Sequence, residues 1–256
     1  MNIRRFFSSA ITITEMEARK IRHDSTELWT RIIQPALWLL IFGETFNTIR
    51  AIPSGNFSYL QFLTPGILAQ SVLFISIFYG ITVVWERDVG IITRLLSTPS
   101  PRYSIVLGKS IAAGLRGVLQ AIMIFLLALI LGVKVRFDPF DITGVFLVVI
   151  LFAMCFSCLS MLLASYMKTR DRMMGIGQAL TMPLFFASNA IYPISIMPSW
   201  LQYVSIVNPL TYAVDAIRSL LVEGNYANLP IDILVLAIST VIFQVLASRT
   251  IKKLLE

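Results

Sequence analysis

The sequence predicts an all-helical protein that crosses a membrane several times, and three observations carry that expectation. Of its 256 residues, 57% are hydrophobic and only 14% are charged. With a mean hydropathy of +0.79, that is more apolar surface than a soluble domain of this size can hide. Apolar runs of spanning length recur along the chain, where about 20 such residues are needed to cross a bilayer. Lys and Arg are also divided very unequally between the segments that join those runs.

Residues 1–26 read as an amphipathic helix on the membrane face. Ile3, Phe6, Phe7, Ala10, Ile13 and Met16 form one side, and Arg4, Arg5, Arg19 and Lys20 the other. The first 30 residues lack the continuous apolar core of a cleavable signal peptide. Residues 27–256 form one membrane domain with six expected spans, at 32–46, 62–84, 105–133, 142–167, 174–191 and 231–247. Leu28 and Trp29 extend the first run, which Arg31, Gln34 and Glu44 crowd. If the N-terminus lies inside, inner segments carry sixteen of the 21 Lys and Arg residues. Outer segments carry Arg50, Lys134, Arg136 and Arg218, and Arg116 lies within the third run. That split places both termini in the cytoplasm of an inner-membrane protein. The net charge of +7 then suits an anionic leaflet rather than nucleic acid.

Two connections stand out. Residues 85–109 (WERDVGIITRLLSTPSPRYSIVLGK) are far more charged than their flanks. Glu86 and Asp88 are expected to open a short helix, where the dipole favours acids. Val89, Ile91, Ile92, Leu95 and Leu96 would form its apolar face, with Arg87 and Arg94 outside and Pro99 and Pro101 ending it. Such a segment is either a solvated connector or a docking helix. The outer stretch 192–230 is apolar yet broken by Pro193, Pro198 and Pro209. Two short helices that re-enter the membrane fit it, with a break at Asn208-Pro209. Gly108 with Ala112, and Ala113 with Gly117, permit close helix approach, within the subunit or against a second copy.

Catalytic and metal chemistry find little support. Gly108-Lys109-Ser110 lacks the upstream glycine and the preceding strand of a phosphate-binding loop, so Lys109 reads as an interfacial anchor. Cys155 and Cys158 cannot complete a zinc site alone, and His23 is the only histidine. Arg116 is placed to snorkel toward the inner face. Glu44 and Asp232 fall near the outer interface. Asp215 and Arg218, spaced for a local ion pair, are otherwise candidates for an outer gate with Glu223.

Pro65-Gly66, Glu86-Arg87 with Gly90, Leu95-Leu96 with Pro99, and Gly108-Lys109 occur in that order. With Met197-Pro198, Trp200-Leu201, Asn208-Pro209-Leu210-Thr211-Tyr212, Asp215 and Arg218, they resemble the ABC-2 permeases of ABC transporters. The nearest branch resembles the daunorubicin-resistance and nodulation lipo-oligosaccharide exporters.

The resemblance implies a type V exporter fold, as in the G subfamily. It implies a coupling helix at about 86–101, in which Glu86, Arg87, Asp88, Gly90, Arg94, Leu95, Leu96 and Pro99 meet a separate ATPase. The N-terminal helix becomes a connecting helix. Residues 192–223 become outer re-entrant helices, with Pro198, Trp200, Asn208, Pro209, Tyr212, Asp215, Arg218 and Glu223 at the exit gate. Two ATPase copies and a second permease, in the simpler case an identical one, are the implied partners. This chain itself would bind no cofactor, and ATP and Mg would be held by the ATPase. The cargo would be an amphipathic drug, lipid or glycolipid. The competing classes are an intramembrane enzyme or assembly factor and a secondary carrier. The first needs acid/base or metal ligands within the membrane and the second needs midplane carboxylates, and neither set is evident in the sequence.

Overall fold

The computed structural model describes residues 3–23, 30–43, 45–46, 57–98 and 100–255. Leu28, Trp29, Glu44, Arg50 and Pro99, singled out above, lie outside them. Among the described residues the chain is helical with no strand. Helix α1 spans Ile3–His23. Helix α2, Ile33–Leu37, continues as a wider π turn over Trp38–Gly43. Then come α3, Tyr59–Asp88, α4, Ile91–Ser97, and α5, Arg102–Ile130. Helices α6, Pro139–Ala164, and α7, Arg170–Phe186, follow. A short turn at Ile194–Ile196 leads to α8, Ser199–Val207, and α9, Pro209–Arg218, which ends in a π turn over Ser219–Glu223. Helix α10, Leu229–Thr250, closes the chain with a tighter turn at Ile251–Leu255.

Among the described residues, α3, α5, α6 and α10 are long and apolar enough to cross a membrane. The other two expected runs are shorter. Ile33–Gly43 is a short apolar helix, and α7 has 17 residues with Pro183 inside it. At 1.5 Å per residue α7 reaches about 26 Å.

Helix starts follow local chemistry. Ser58 and Gln61 form a reciprocal capping box before α3. Asp138 caps α6, whose first residue is Pro139, and Asn208 caps α9, whose first residue is Pro209.

Helix α3 is the central post, packed against α5, α6, α7 and α9. Its most apolar window is 78% buried, whereas that of α10 is only 17% buried. Ile231, Leu234, Ile238 and Val241 of α10 are exposed and form a lipid-suited face. Small residues set the closest approaches. A Cβ on Gly108 would lie 2.7 Å from the Ala10 carbonyl of α1. Gly117 faces Ala153 of α6 and Val72 of α3. The small residues spaced along α5 therefore serve packing within the subunit. On the far side of the bundle, a Cβ on Gly66 would lie 2.2 Å from the Ala190 carbonyl.

That contact is backbone and cannot swing away. Gly66→Ala is therefore expected to destabilise by about 1–3 kcal/mol, the usual cost of overpacking. Gly175 in α7 faces open space, so Gly175→Ala should be neutral or raise the unfolding midpoint. Thermal unfolding of both variants in one detergent checks the pair.

Candidate functional site

Helix α1 lies along α5, and one stripe of it, at Ala10, Ile13, Thr14 and Glu17, meets the bundle. The spacing is that of one helix face. Phe7 and Ile11 point outward instead, 55% and 65% exposed. Thr14 donates to the Gly108 carbonyl at 3.0 Å. The last stripe residue, Glu17, is fully buried.

Glu17 belongs to a charge cluster at the meeting of three helices. Lys109 of α5 lies with Nζ 2.9 Å from Glu17 Oε1 and 2.5 Å from Glu86 Oε2 at the end of α3. All three side chains have no exposed surface. Lys20 of α1 reaches Glu86 Oε1 at 2.5 Å and Glu17 Oε1 at 3.1 Å. Arg116 lies 3.4 Å from Glu17 Oε2, and its guanidinium stacks over Tyr79 at 4.9 Å. Burial alone would raise the Glu17 carboxyl, but Lys109, Lys20 and Arg116 outweigh it and hold the group at about 2.

This cluster corrects three expectations. Lys109 is no interfacial anchor but the largest fully buried side chain among the described residues. Glu86 is not on a docking surface, because its carboxylate is enclosed by two ammonium groups. Glu86 and Asp88 also do not open the short helix; they finish α3, which runs unbroken to Asp88. The break is Gly90, with φ at 78°, where a side chain is disfavoured. Helix α4 starts after it. It buries Ile92, half-buries Leu95 and Leu96, and leaves Thr93 and Arg94 exposed. Val89 is 48% exposed rather than part of an apolar face.

Arg87 binds the neighbouring connection. It donates to the Met167 and Lys168 carbonyls, each at 2.8 Å, and to Asp88 at 2.9 Å. Arg170 adds a contact to Asp88 at 3.4 Å. A hollow of about 700 Å³ opens here, lined by Arg87, Thr93, Tyr166, Lys168 and Lys253.

The opposite end holds the second group of sequence candidates. Asn208 breaks the chain between α8 and α9, and its amide donates to the Leu184 and Ala187 carbonyls at 2.7 and 3.3 Å. Tyr212 donates to the Ile206 carbonyl at 2.7 Å. Arg218 is buried, 3.4 Å from Asp215 and 2.7 Å from the Asn189 carbonyl, with its guanidinium 3.9 Å from the Phe62 ring centroid. Asn189 in turn donates to Asp215. The local pair is thus part of a clasp between α3, α9 and the turn after α7. Pro198, Trp200 and Glu223 are exposed, Trp200 by 68%, and do not join the clasp.

Sequence reasoning missed a cavity of about 490 Å³ between α2, α3 and α5. Gln34, Gln70 and Gln120 line it, together with Ser71, Phe74 and Phe78. Cys155 and Cys158 are buried in α6; Cys158 donates to Gln244 at 2.9 Å and packs in one apolar cluster with Ile13, Tyr79 and Ile92.

The ABC-2 type transporter family model matches residues 9–222. The chain belongs to this family. It is thereby a multi-pass membrane protein and the transmembrane component of an ABC transporter. Similar proteins are named as transport permeases. The transport permease ycf38 of Cyanophora paradoxa is 33% identical over 192 residues, 74% of this chain and 66% of the relative. That alignment spans just under two thirds of the relative's own length. The daunorubicin resistance ABC transporter permease protein DrrB1 of Streptomyces coeruleorubidus is 26% identical, over 78% of this chain and 70% of its own. The inner membrane transport permease YadH of Escherichia coli K12 is 26% identical, over 81% of this chain and 82% of its own.

Lys109→Met would leave Glu17 and Glu86 sharing the partly exposed Lys20, with Arg116 beside Glu17, and a loss of about 3 kcal/mol, the low end for a broken buried pair, is expected. Replacing Glu17, Glu86 and Lys109 together by Leu, Leu and Met should recover most of it, which unfolding midpoints will show. The depressed Glu17 carboxyl contributes stability that is complete above its ordinary value of 4.5 and is lost as pH falls toward about 2. The midpoint should therefore drop over that window, and Glu17→Gln should flatten the drop.

Proposed function

We propose that this permease is the membrane half of an ATP-driven exporter, built from six spans in the type V arrangement with both termini in the cytoplasm. Among the six, α2 and α7 would be the short spans. The family works with ABC ATPase partners, and in this reading two ATPase copies dock at the end that carries α1 and α4. The permease pairs with a second, identical copy, and the cargo passes between them toward the α8–α9 end. One relative is named for daunorubicin resistance, which favours an amphipathic drug, lipid or glycolipid as cargo. Hydrolysis of ATP belongs to the partner.

The observation that carries the reading is the buried link from Lys109 to Glu17 and Glu86. It ties α1, the end of α3 and the start of α5 into one unit beside the exposed helix α4. A push on α4 would then reach two spans without being absorbed in side-chain rearrangement. Asp88, Gly90, Arg94 and the Leu95–Leu96 edge are the contact residues in this scheme, while Glu86 and Arg87 hold the hairpin in shape. The basic hollow beside Thr93 suits an acidic edge of the ATPase. At the far end, the clasp of Asp215, Arg218 and Asn189 keeps α8 and α9 seated as the outer gate.

Affinity purification from the native host in gentle detergent tests the reading. A soluble subunit with a phosphate-binding loop should co-purify in near-stoichiometric amount. Arg94→Glu should lower its recovery on the order of tenfold, the effect of about 1.4 kcal/mol of lost contact. Recovery of the permease alone, across detergents and with ATP analogues present, would contradict it.

A further inference from the structure

The apolar face of α10 leads directly to the basic end of the bundle. Ile231, Ile238 and Ile242 are exposed along it. Arg249 continues the series, with Lys252 and Lys253 just beyond. Steps of seven, four and seven residues keep to one face of a helix. From Ile231 to Arg249 is 18 residues, about 27 Å at 1.5 Å per residue. That nearly matches a hydrocarbon layer of about 30 Å. Arg249 therefore stands at headgroup level when Ile231 stands at the other boundary.

The hollow of about 700 Å³ lies beside that cationic end, large enough for a headgroup. Tyr166 and Lys168 of the α6–α7 turn line it, as do Lys253 and Leu254 of the final turn. Arg87 also lines it but is already met by Asp88 and two carbonyls. The charge open to a ligand is that of Lys168 and Lys253. Lys253 lies over the Tyr166 ring at 4.5 Å, a contact that places the ammonium without neutralising it. Among the described residues no carboxylate lines the hollow. The neighbouring helix ends also expose Arg170, Arg172, Arg249 and Lys252, against the acids Asp88 and Asp171.

We propose that this end of the permease holds an anionic phospholipid as a resident lipid. Its phosphate sits in the hollow with Lys168 and Lys253, and its acyl chains lie along the exposed face of α10. The continuity of the two features selects this occupant. A soluble phosphate would use the cations alone, and a neutral lipid would use the apolar face alone. The export reading gives the Thr93 edge of the hollow to the ATPase; the lipid takes the edge at Tyr166 and Lys253. It is a fixed partner of α10, not cargo passing between two subunits. The inference does not rest on the export reading, and binding is measurable on the permease alone.

The test places the full chain in phosphatidylcholine nanodiscs with phosphatidylglycerol and phosphatidylcholine probes that share one diazirine tail. The phosphatidylglycerol probe should label peptides covering residues 242–255 more strongly than the phosphatidylcholine probe. Lys168→Gln and Lys253→Gln should each lower that labelling about fivefold, the effect of one cation near an anionic headgroup. Labelling by phosphatidylcholine should not change. Lys134→Gln, at the opposite end, should change neither. All three lysines are exposed, so the variants should keep the wild-type unfolding midpoint in neutral detergent. Added phosphatidylglycerol should raise that midpoint for the wild type and less for Lys168→Gln and Lys253→Gln. Equal labelling by the two probes, or labelling unmoved by both substitutions, would overturn the proposal. So would competition by inorganic phosphate at constant ionic strength, which would make the hollow a soluble-anion site. Complete protection of these peptides by a co-purified ATPase would also overturn it, by giving the whole hollow to docking. Failure of the export reading would appear separately, as wild-type permease purified without an ATPase.

Discussion

Removing an ammonium and two carboxylates from water costs several kcal/mol per ion unless each is met by opposite charge and hydrogen bonds. Lys109 is met in that way, with Glu17 at 2.9 Å and Glu86 at 2.5 Å, and Lys20 and Arg116 supply the remaining cations. The geometry follows from that requirement. Glu17 reaches the lysine because α1 lies in the groove that Gly108 leaves open. Glu86 reaches it because α3 continues to Asp88 before Gly90 turns the chain. Moving any one of the three helices would uncover a buried charge. Apolar packing tolerates small slides between helices; an ionic junction of this kind resists them.

The two ends of the bundle are thus held by different physics. At the α1 end, ionic contacts join elements far apart in sequence and leave α4 presented on their outside. At the α8 end, amide and guanidinium groups grip backbone carbonyls, through Asn208 on Leu184 and Arg218 on Asn189. Between them α3 is enclosed by protein, while α10 turns an apolar face outward. The export reading proposed above calls for a stiff input and an exit that can move, and this division of the bundle suits that proposal.

Much of this was legible in the sequence where the cause is local. The long runs in α3, α5, α6 and α10 stand out by length alone, and Asn208-Pro209 marks its own break. The site was harder to read because its chemistry depends on contacts between distant elements. Glu17 fell between the expected apolar and basic faces of α1, and its significance lies in falling on the buried stripe of Ala10, Ile13 and Thr14. That carboxylate at helical spacing among buried residues was the available signal. Lys109 read as an anchor because no acid near it in sequence suggested a partner. The boundary of α4 was misplaced because acids suit a helix start, whereas the left-handed Gly90 outweighs that preference. Gln70 and Gln120 carry no charge and sit in ordinary apolar runs, so no local pattern marks them, although a neutral amide at membrane depth also needs a partner.

The central claim is that α1, the end of α3 and the start of α5 move as one body with α4 attached. Spin labels at Ser8→Cys in α1 and Thr93→Cys in α4, both exposed positions, report on it directly once Cys155 and Cys158 are replaced. Double electron–electron resonance on the purified complex, with and without an ATP analogue, is the measurement. With only one permease of each pair labelled, the account predicts one narrow distance that is the same in both conditions and broadens when Lys109→Met is introduced. A distance that shifts with nucleotide, or one that stays narrow in the variant, would contradict it.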